Sequence, residues 1–221
     1  MAQESIRVKI PCRIAFPRLA SAVTNEKSGK TEYSVRCLIS KEDEKTQKII
    51  RKGLKDAFRS LFGDDESKWP ARFRKEGFFE NHLSEENKDG FPLRDGDFPD
   101  SEYLHGHVYI DARDAAVPPR KPNQPECGMI LGEGKFCRLR GERIEEEIYS
   151  GCYGDVVVDF RAYNNKETSS VGISVYLRAV MKTADGERMS GSTPVDMGGL
   201  YGEEVEDDGP TSDTPSGYDD L

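Results

Sequence analysis

The chain has 221 residues and a mass of 24.8 kDa, enough to bury a sizeable core without metal or disulfide staples. Its 33% charged and 35% hydrophobic composition fits a soluble protein with long exposed loops or a disordered tail. No stretch approaches the ~18 consecutive apolar residues of a membrane span, and the start MAQESIRVKIPC lacks the apolar core of a signal peptide, so neither a membrane nor a secretory role is expected.

The net charge of −9 argues against a nucleic-acid partner until its distribution is considered. Residues 203–221 hold Glu203, Glu204, Glu206, Asp207, Asp208, Asp213, Asp219 and Asp220 and no Lys or Arg. Without them the body is nearly neutral, and a neutral body can carry a strongly basic groove.

From the N-terminus, Ile6, Val8, Ile10, Cys12, Ile14 and Phe16 alternate with Arg7, Lys9, Pro11 and Arg13, the period of a half-buried strand with one apolar and one basic face. After a turn over 25–30, Tyr33, Val35, Cys37 and Ile39 alternate against Ser34, Arg36 and Leu38, completing a predicted hairpin. Ser40 and Asp43 form a capping-box pattern, and Ile50, Leu54, Ala57, Phe58 and Leu61 recur at helical spacing for about five turns. The stretch 63–102 is rich in Gly, Pro and charge without a sustained period, and reads as a long loop insertion in which Trp69 and Phe73 pack onto the body. Strands are predicted over 103–113, 127–131, 154–163 and 171–181, with a second short helix near 142–149. About six strands, one clear helix and no βαβ alternation indicate a mainly β protein, a small antiparallel barrel spanning 1–189. Beyond Met189 the composition turns to Gly, Ser, Thr, Pro and acid, so 190–221 is expected to be a flexible acidic tail.

Enzyme signatures are weak. The run GMILGEGK at 128–135 has the wrong spacing for a phosphate-binding loop, and Phe136 stands where Ser or Thr should be. Asp95 with Asp97 and Asp155 with Asp159 could hold magnesium for a nuclease, but the first pair has turn chemistry and the second lies among strand residues. The five cysteines are scattered, lack C-x-x-C spacing and read as reduced thiols, while His105 and His107 read as solvated or hydrogen-bonded. No metal, cofactor or catalytic group is expected.

The binding signal is stronger. With Val156, Val158, Phe160 and Ala162 on one strand face, Arg161 and Tyr163 fall on the other. With Val171, Ile173, Val175, Leu177 and Ala179 facing the core, Ser174, Tyr176, Arg178 and Lys182 face away. Pairing of these strands would align Arg161, Tyr163, Tyr176 and Arg178 in an aromatic and basic strip, extended by Arg7, Lys9 and Arg13. Arg36, Tyr109, Arg113, Arg120 and Lys121 are further candidates on neighbouring strands and the Pro-rich connection. Single-stranded nucleic acid calls for this combination, since cations track phosphates while rings stack on unpaired bases. Tyr and Arg are also ordinary residues of exposed strand faces, so the strip alone leaves both readings open.

Several segments taken together resemble a phage single-stranded DNA-binding protein family, once catalogued as a domain of unknown function, and more distantly the T7-type phage single-stranded DNA-binding proteins. They are PLRDGD at 92–97, GHVYIDAR at 106–113 with its Pro-rich loop, YSGCYG at 149–154 and GISVYLRAV at 172–180. The Asp185-Gly186-Glu187 turn and the acidic C-terminus complete the set. The resemblance implies an oligonucleotide-binding (OB) fold and sequence-independent binding of single-stranded DNA in the host cytoplasm during phage replication and recombination. It also implies a tail, including Asp219, Asp220 and Leu221, that recruits replication proteins such as a polymerase or helicase-primase; its charge alone reads either as a polyanion competing with DNA for a basic groove or as a solubilising tail. The T7-type tail ends in Phe where this chain has Leu221, so no tail contact is carried over. The rival expectations are a DNA-mimicking inhibitor that binds a host protein and a metal-dependent nuclease.

Overall fold

The computed structural model describes residues 4–26, 28–85, 89–98 and 101–189. The chain divides into two units, Met1–Met189 and Ser190–Leu221. The tail residues named above lie outside the described residues.

The first unit is built on β1 (Ile6–Asn25), β2 (Lys30–Ser40), β4 (His107–Ala116), β7 (Tyr153–Asn165) and β8 (Ser170–Ala184). The long β1 serves both sides of the molecule. Ile6 to Arg13 pair with β7, and the strand then bends so that Arg13 to Asn25 pair with β2. β2 continues to β4, β7 to β8, and a parallel contact between Arg113 of β4 and Tyr176 of β8 closes the ring. Five strands closed in the order β1-β2-β4-β8-β7 make the OB-fold barrel. The alternation read from the sequence fills it: Val8, Ile10, Ile14, Val35, Cys37, Ile110, Val156, Val158, Phe160 and Leu177 are all buried.

α1 (Glu44–Phe62) lies against β1 and β7 and buries Ile50, Leu54, Ala57 and Phe58. Its N-cap is Asp43, which accepts from the Thr46 N–H at 3.0 Å, while Ser40 Oγ accepts from Glu42 N–H instead of closing a capping box. Gly53 permits the close approach, because a β-carbon there would stand 2.6 Å from Val8 Cγ2.

Eight strands are present among the described residues. Besides the barrel, β3 (Arg94–Asp95) flanks β4, and a hairpin of β5 (Glu126–Gly132) and β6 (Lys135–Arg138) extends the sheet beyond β8. The insertion is more ordered than its composition suggests. It contains 3-10 turns at Glu66–Lys68 and Ala71–Arg74 and α2 (Phe78–Asn81), and its rings gather around Phe58 of α1. Phe73 lies 4.3 Å and Trp69 5.2 Å from the Phe58 ring, and Phe78, Phe79 and Phe91 complete the cluster. This missing sheet-like or helical period reflects a core built from rings at irregular spacing.

Two irregularities reverse side-chain direction. On β1 the register shifts between Ala15 and Arg18, so Phe16 leaves the inward series and is exposed. On β8, Leu177 and Ala179 face the adjacent residues Val158 and Val157, leaving Arg178 as the extra residue. From that bulge onward Val180 and Lys182, not Ala179, point inward, and Lys182 is buried against Glu147 at 3.0 Å and Asp185 at 2.7 Å. Leu38, expected on the outer face, is buried with Ala15, Leu104, Tyr109 and Met189 in a small second core on the outside of the barrel. Glu147 belongs to α3 (Arg143–Glu147), the short second helix.

Candidate nucleic-acid interface

On the outer surface, where β4 meets β8, an open groove is lined by Lys30, Pro92, Arg94, Arg113, Tyr163 and Tyr176, among others. The barrel seam itself builds it. Antiparallel pairing places Tyr163 opposite Gly172 and Arg161 opposite Ser174, and the parallel contact sets Arg113 beside Tyr176. The Tyr176 ring is flanked by two guanidinium groups, Arg178 at 5.6 Å and Arg161 at 5.9 Å. The end of the insertion supplies the opposite wall. Ile173 N–H donates to the Gly90 carbonyl at 2.9 Å, and Pro92 and Arg94 follow along the groove.

Carboxylates under this surface fix the cations. Asp111 accepts from Arg36 Nε at 2.7 Å and Arg94 Nη1 at 3.0 Å, with Arg113 at 3.8 Å. Burial raises the Asp111 pKa, but the Arg36 hydrogen bond and the charges of Arg36, Arg94 and Arg113 outweigh it and leave the carboxyl below its ordinary value. Asp159 accepts from Arg7 Nε and Arg178 Nε, each at 2.8 Å. The Arg7 hydrogen bond, opposed by burial and reinforced by Arg178, holds Asp159 low as well. Glu32 also stands 3.7 Å from Arg113 and Asp114 3.5 Å from Arg178, yet Arg7, Arg36, Arg94, Arg113, Arg161 and Arg178 outnumber the carboxylates, so the surface retains net positive charge.

A second depression adjoins the first, sharing Asp111 and Arg113 and lined also by Phe16, Arg18, Ser34 and Arg36. In OB folds the face of the second and third barrel strands, with the neighbouring loops, receives oligonucleotides. Here those strands are β2 and β4.

Of the residues singled out in the sequence, Arg36, Arg113, Arg161, Tyr163, Tyr176 and Arg178 come together on this surface, and Arg7 joins it through Asp159. Lys9 stands farther along β1 and pairs with Asp155 at 2.9 Å. Arg13 is engaged by main-chain oxygens, donating to Gly151 at 3.2 Å and Glu187 at 2.9 Å. Arg120 and Lys121 are exposed on the connection after β4 and line neither depression. Tyr109 is 4% exposed, and Arg36 covers its ring at 4.5 Å and Arg94 at 5.3 Å. Its ring supports the arginines and offers no open face to a base.

Lys30, Arg94, Arg18 and Phe16 were not singled out as ligands. Arg94 was visible only as part of a turn-like PLRDGD segment, and Phe16 looked like a core residue because period-2 patterns do not announce bulges. The carboxylates considered for magnesium are ion-paired: Asp95 and Asp97 with Lys41, Asp155 with Lys9, and Asp159 with Arg7 and Arg178. Among the described residues no three His, Cys, Asp or Glu side chains gather as a metal site, and no helix is long and apolar enough to cross a membrane.

Known proteins resemble the chain in sequence and in fold. Residues 6–208 match the family model described as Enterobacter phage Enc34, ssDNA-binding protein. A curated relative, the putative protein p50 of Acyrthosiphon pisum secondary endosymbiont phage 1, is 25% identical over 81% of this chain and 83% of its own length. The solved single-stranded DNA-binding protein of bacteriophage Enc34, in complex with ssDNA, superposes with a TM-score of 0.60 at 21% identity, covering 86% of this chain and 96% of that one. The gp2.5 single-stranded DNA-binding protein of bacteriophage T7 superposes with a TM-score of 0.51 at 13% identity, covering 95% of this chain and all of the other.

Proposed function

The chain belongs to the family of the phage Enc34 ssDNA-binding protein, and on that premise we propose that it binds single-stranded DNA without sequence preference and coats transient single strands during phage DNA replication and recombination. The observation that carries this reading is the groove at the β4–β8 seam, where Tyr163 and Tyr176 stand among Arg94, Arg113, Arg161 and Arg178. Phosphates follow the arginines while unpaired bases stack on the tyrosines, an arrangement indifferent to sequence because every base has a π-face. The partly ion-paired arginines are poised for this task. Their carboxylates orient the guanidinium planes, and the more exposed of them, Arg113 and Arg178, present N–H groups to phosphate.

The wider role rests on the family and on charge. In that role the protein acts in the cytoplasm of the infected cell. The polyanionic segment carrying Glu203, Glu204, Glu206, Asp207 and Asp208 competes with DNA for the basic surface at low salt. The end of the chain, with Asp219, Asp220 and Leu221, offers replication proteins an acidic and apolar contact. No reaction is assigned to the chain.

The test is a fluorescence-anisotropy titration of labelled oligothymidine against a duplex of equal length, at low and high salt and without divalent metal. The reading expects tight, salt-sensitive binding to the single strand. Absence of binding at low salt, by the full chain and by a chain ending at Gly202, would remove it.

A further inference from the structure

Phe16 is the least explained residue of the barrel surface. Its φ of 49° lies in the left-handed region, which a bulky side chain enters only at a cost in conformational energy and where glycine is the default. Burial does not compensate for that cost, because the side chain is 48% exposed. Its neighbours Ile14 and Ala15 are fully buried, so the bulge between Ala15 and Arg18 turns the ring outward at a point where the chain on one side is firmly anchored. The Phe16 N–H donates to Ser150 Oγ at 2.9 Å, which holds the bulge in this geometry. The ring stands 5.6 Å from the Arg36 guanidinium and lines the depression that also contains Arg18, Ser34 and Arg113.

A strained backbone that presents an aromatic ring to solvent, beside guanidinium groups, has the form of a ligand contact rather than of packing. We propose that Phe16 is a stacking platform for an unpaired nucleobase, a separate base site from Tyr163 and Tyr176, with Arg36 and Arg18 holding the phosphates beside it. Arg113 and Asp111 belong to both depressions and Glu32 lines the second, so one strand crossing from β8 over β4 and β2 to the β1 bulge meets rings at both ends of its path and, between them, arginines that outnumber these two carboxylates. The proposal rests on the single-stranded DNA reading and adds to it a defined ligand moiety and a direction of travel across the barrel.

Two substitutions test it in the full chain. Phe16→Gly removes the ring and suits the positive φ, so its melting temperature should be no lower than that of the wild type while its affinity for oligothymidine falls by roughly 5- to 150-fold, the loss of one stacked base. Phe16→Trp restores a ring and reports on it. The chain's other indole, Trp69, is 2% exposed and serves as the unresponsive background measured in the wild type. Indole emission of Phe16→Trp should be quenched beyond that background by oligothymidine and much less by an abasic oligonucleotide of the same length. Unchanged affinity in Phe16→Gly, or equal quenching by the two oligonucleotides, would overturn the stacking site. Failure of the wild type to bind oligothymidine would instead remove the functional reading beneath it.

Discussion

At the scale of single residues, two rings of the surface lie beside guanidinium groups, Phe16 beside Arg36 and Tyr176 beside Arg161 and Arg178. Tyr176 lies between Arg161 and Arg178, so Tyr176→Ala should weaken oligothymidine binding by about 1–3 kcal/mol, as measured by anisotropy, with little change in melting temperature. Asp111 has a different weight, because it holds Arg36 and Arg94 together beneath the surface. Asp111→Ala leaves two poorly solvated guanidinium groups without their partner and should cost about 3–5 kcal/mol in a denaturation experiment. The same carboxylate sets an acid limit. Since Asp111 and Asp159 have folded pKa values below the ordinary carboxylate value of about 3.9, their contribution is fully present above that pH and is lost as pH falls through the lower folded values. Melting temperature should therefore drop as pH falls below about 4, and Asp111→Asn should make that drop shallower. The strand-face pattern made Arg161, Tyr163 and Tyr176 legible in the sequence. Asp111 and Arg94 were not legible as a unit, since they are 17 positions apart and meet only after β3 pairs with β4.

At the scale of elements, the barrel strands were readable because each buries one face and exposes the other, which writes a period of two into the sequence. The insertion was not, because Trp69, Phe73 and Phe79 meet Phe58 from turns and a single helical turn, with Phe78 and Phe91 packed behind them. Bulges escaped for a related reason: the strings around Phe16 and Arg178 look continuous, and only the partner strand reveals the extra residue. The insertion matters to the site because it forms one wall of the groove. Gly90 ties that wall to β8, with φ of 74° and its α-carbon so near the Val171 carbonyl that an added β-carbon would collide with it. Gly90→Ala should destabilise the fold by more than the ~1 kcal/mol of an ordinary left-handed glycine replacement, lowering the melting temperature, and weaken oligothymidine binding as Pro92 and Arg94 shift. Normal stability with unchanged binding in this variant would separate the insertion from the interface.

At the scale of the whole molecule, charge is segregated by sequence position. The acidic residues of 203–221 account for nearly all of the net −9, while the barrel surface concentrates arginine around shared carboxylates. Truncation at Gly202 should therefore tighten binding of oligothymidine at low salt, and the difference between full and truncated chains should shrink as ionic strength shortens the Debye length. The logarithm of both affinities should fall linearly with log salt, with a slope of about −0.7 for each phosphate neutralised on a single strand. The overall fold was legible because six predicted strands and one amphipathic helix admit few closed arrangements, whereas the seam that builds the groove depends on one parallel contact between residues 63 positions apart.

On the proposed path a single strand lies across the β4–β8 seam and the adjoining β2 face. Photocrosslinking of the full chain to an oligonucleotide carrying 5-iodouracil, followed by peptide mapping, reads that path directly. Crosslinks should fall on peptides containing Tyr163 and Tyr176 and diminish with added salt. Crosslinks confined to the β5–β6 hairpin or to the 63–80 segment would contradict the account, because they would place the strand on a surface that shares none of the groove's residues.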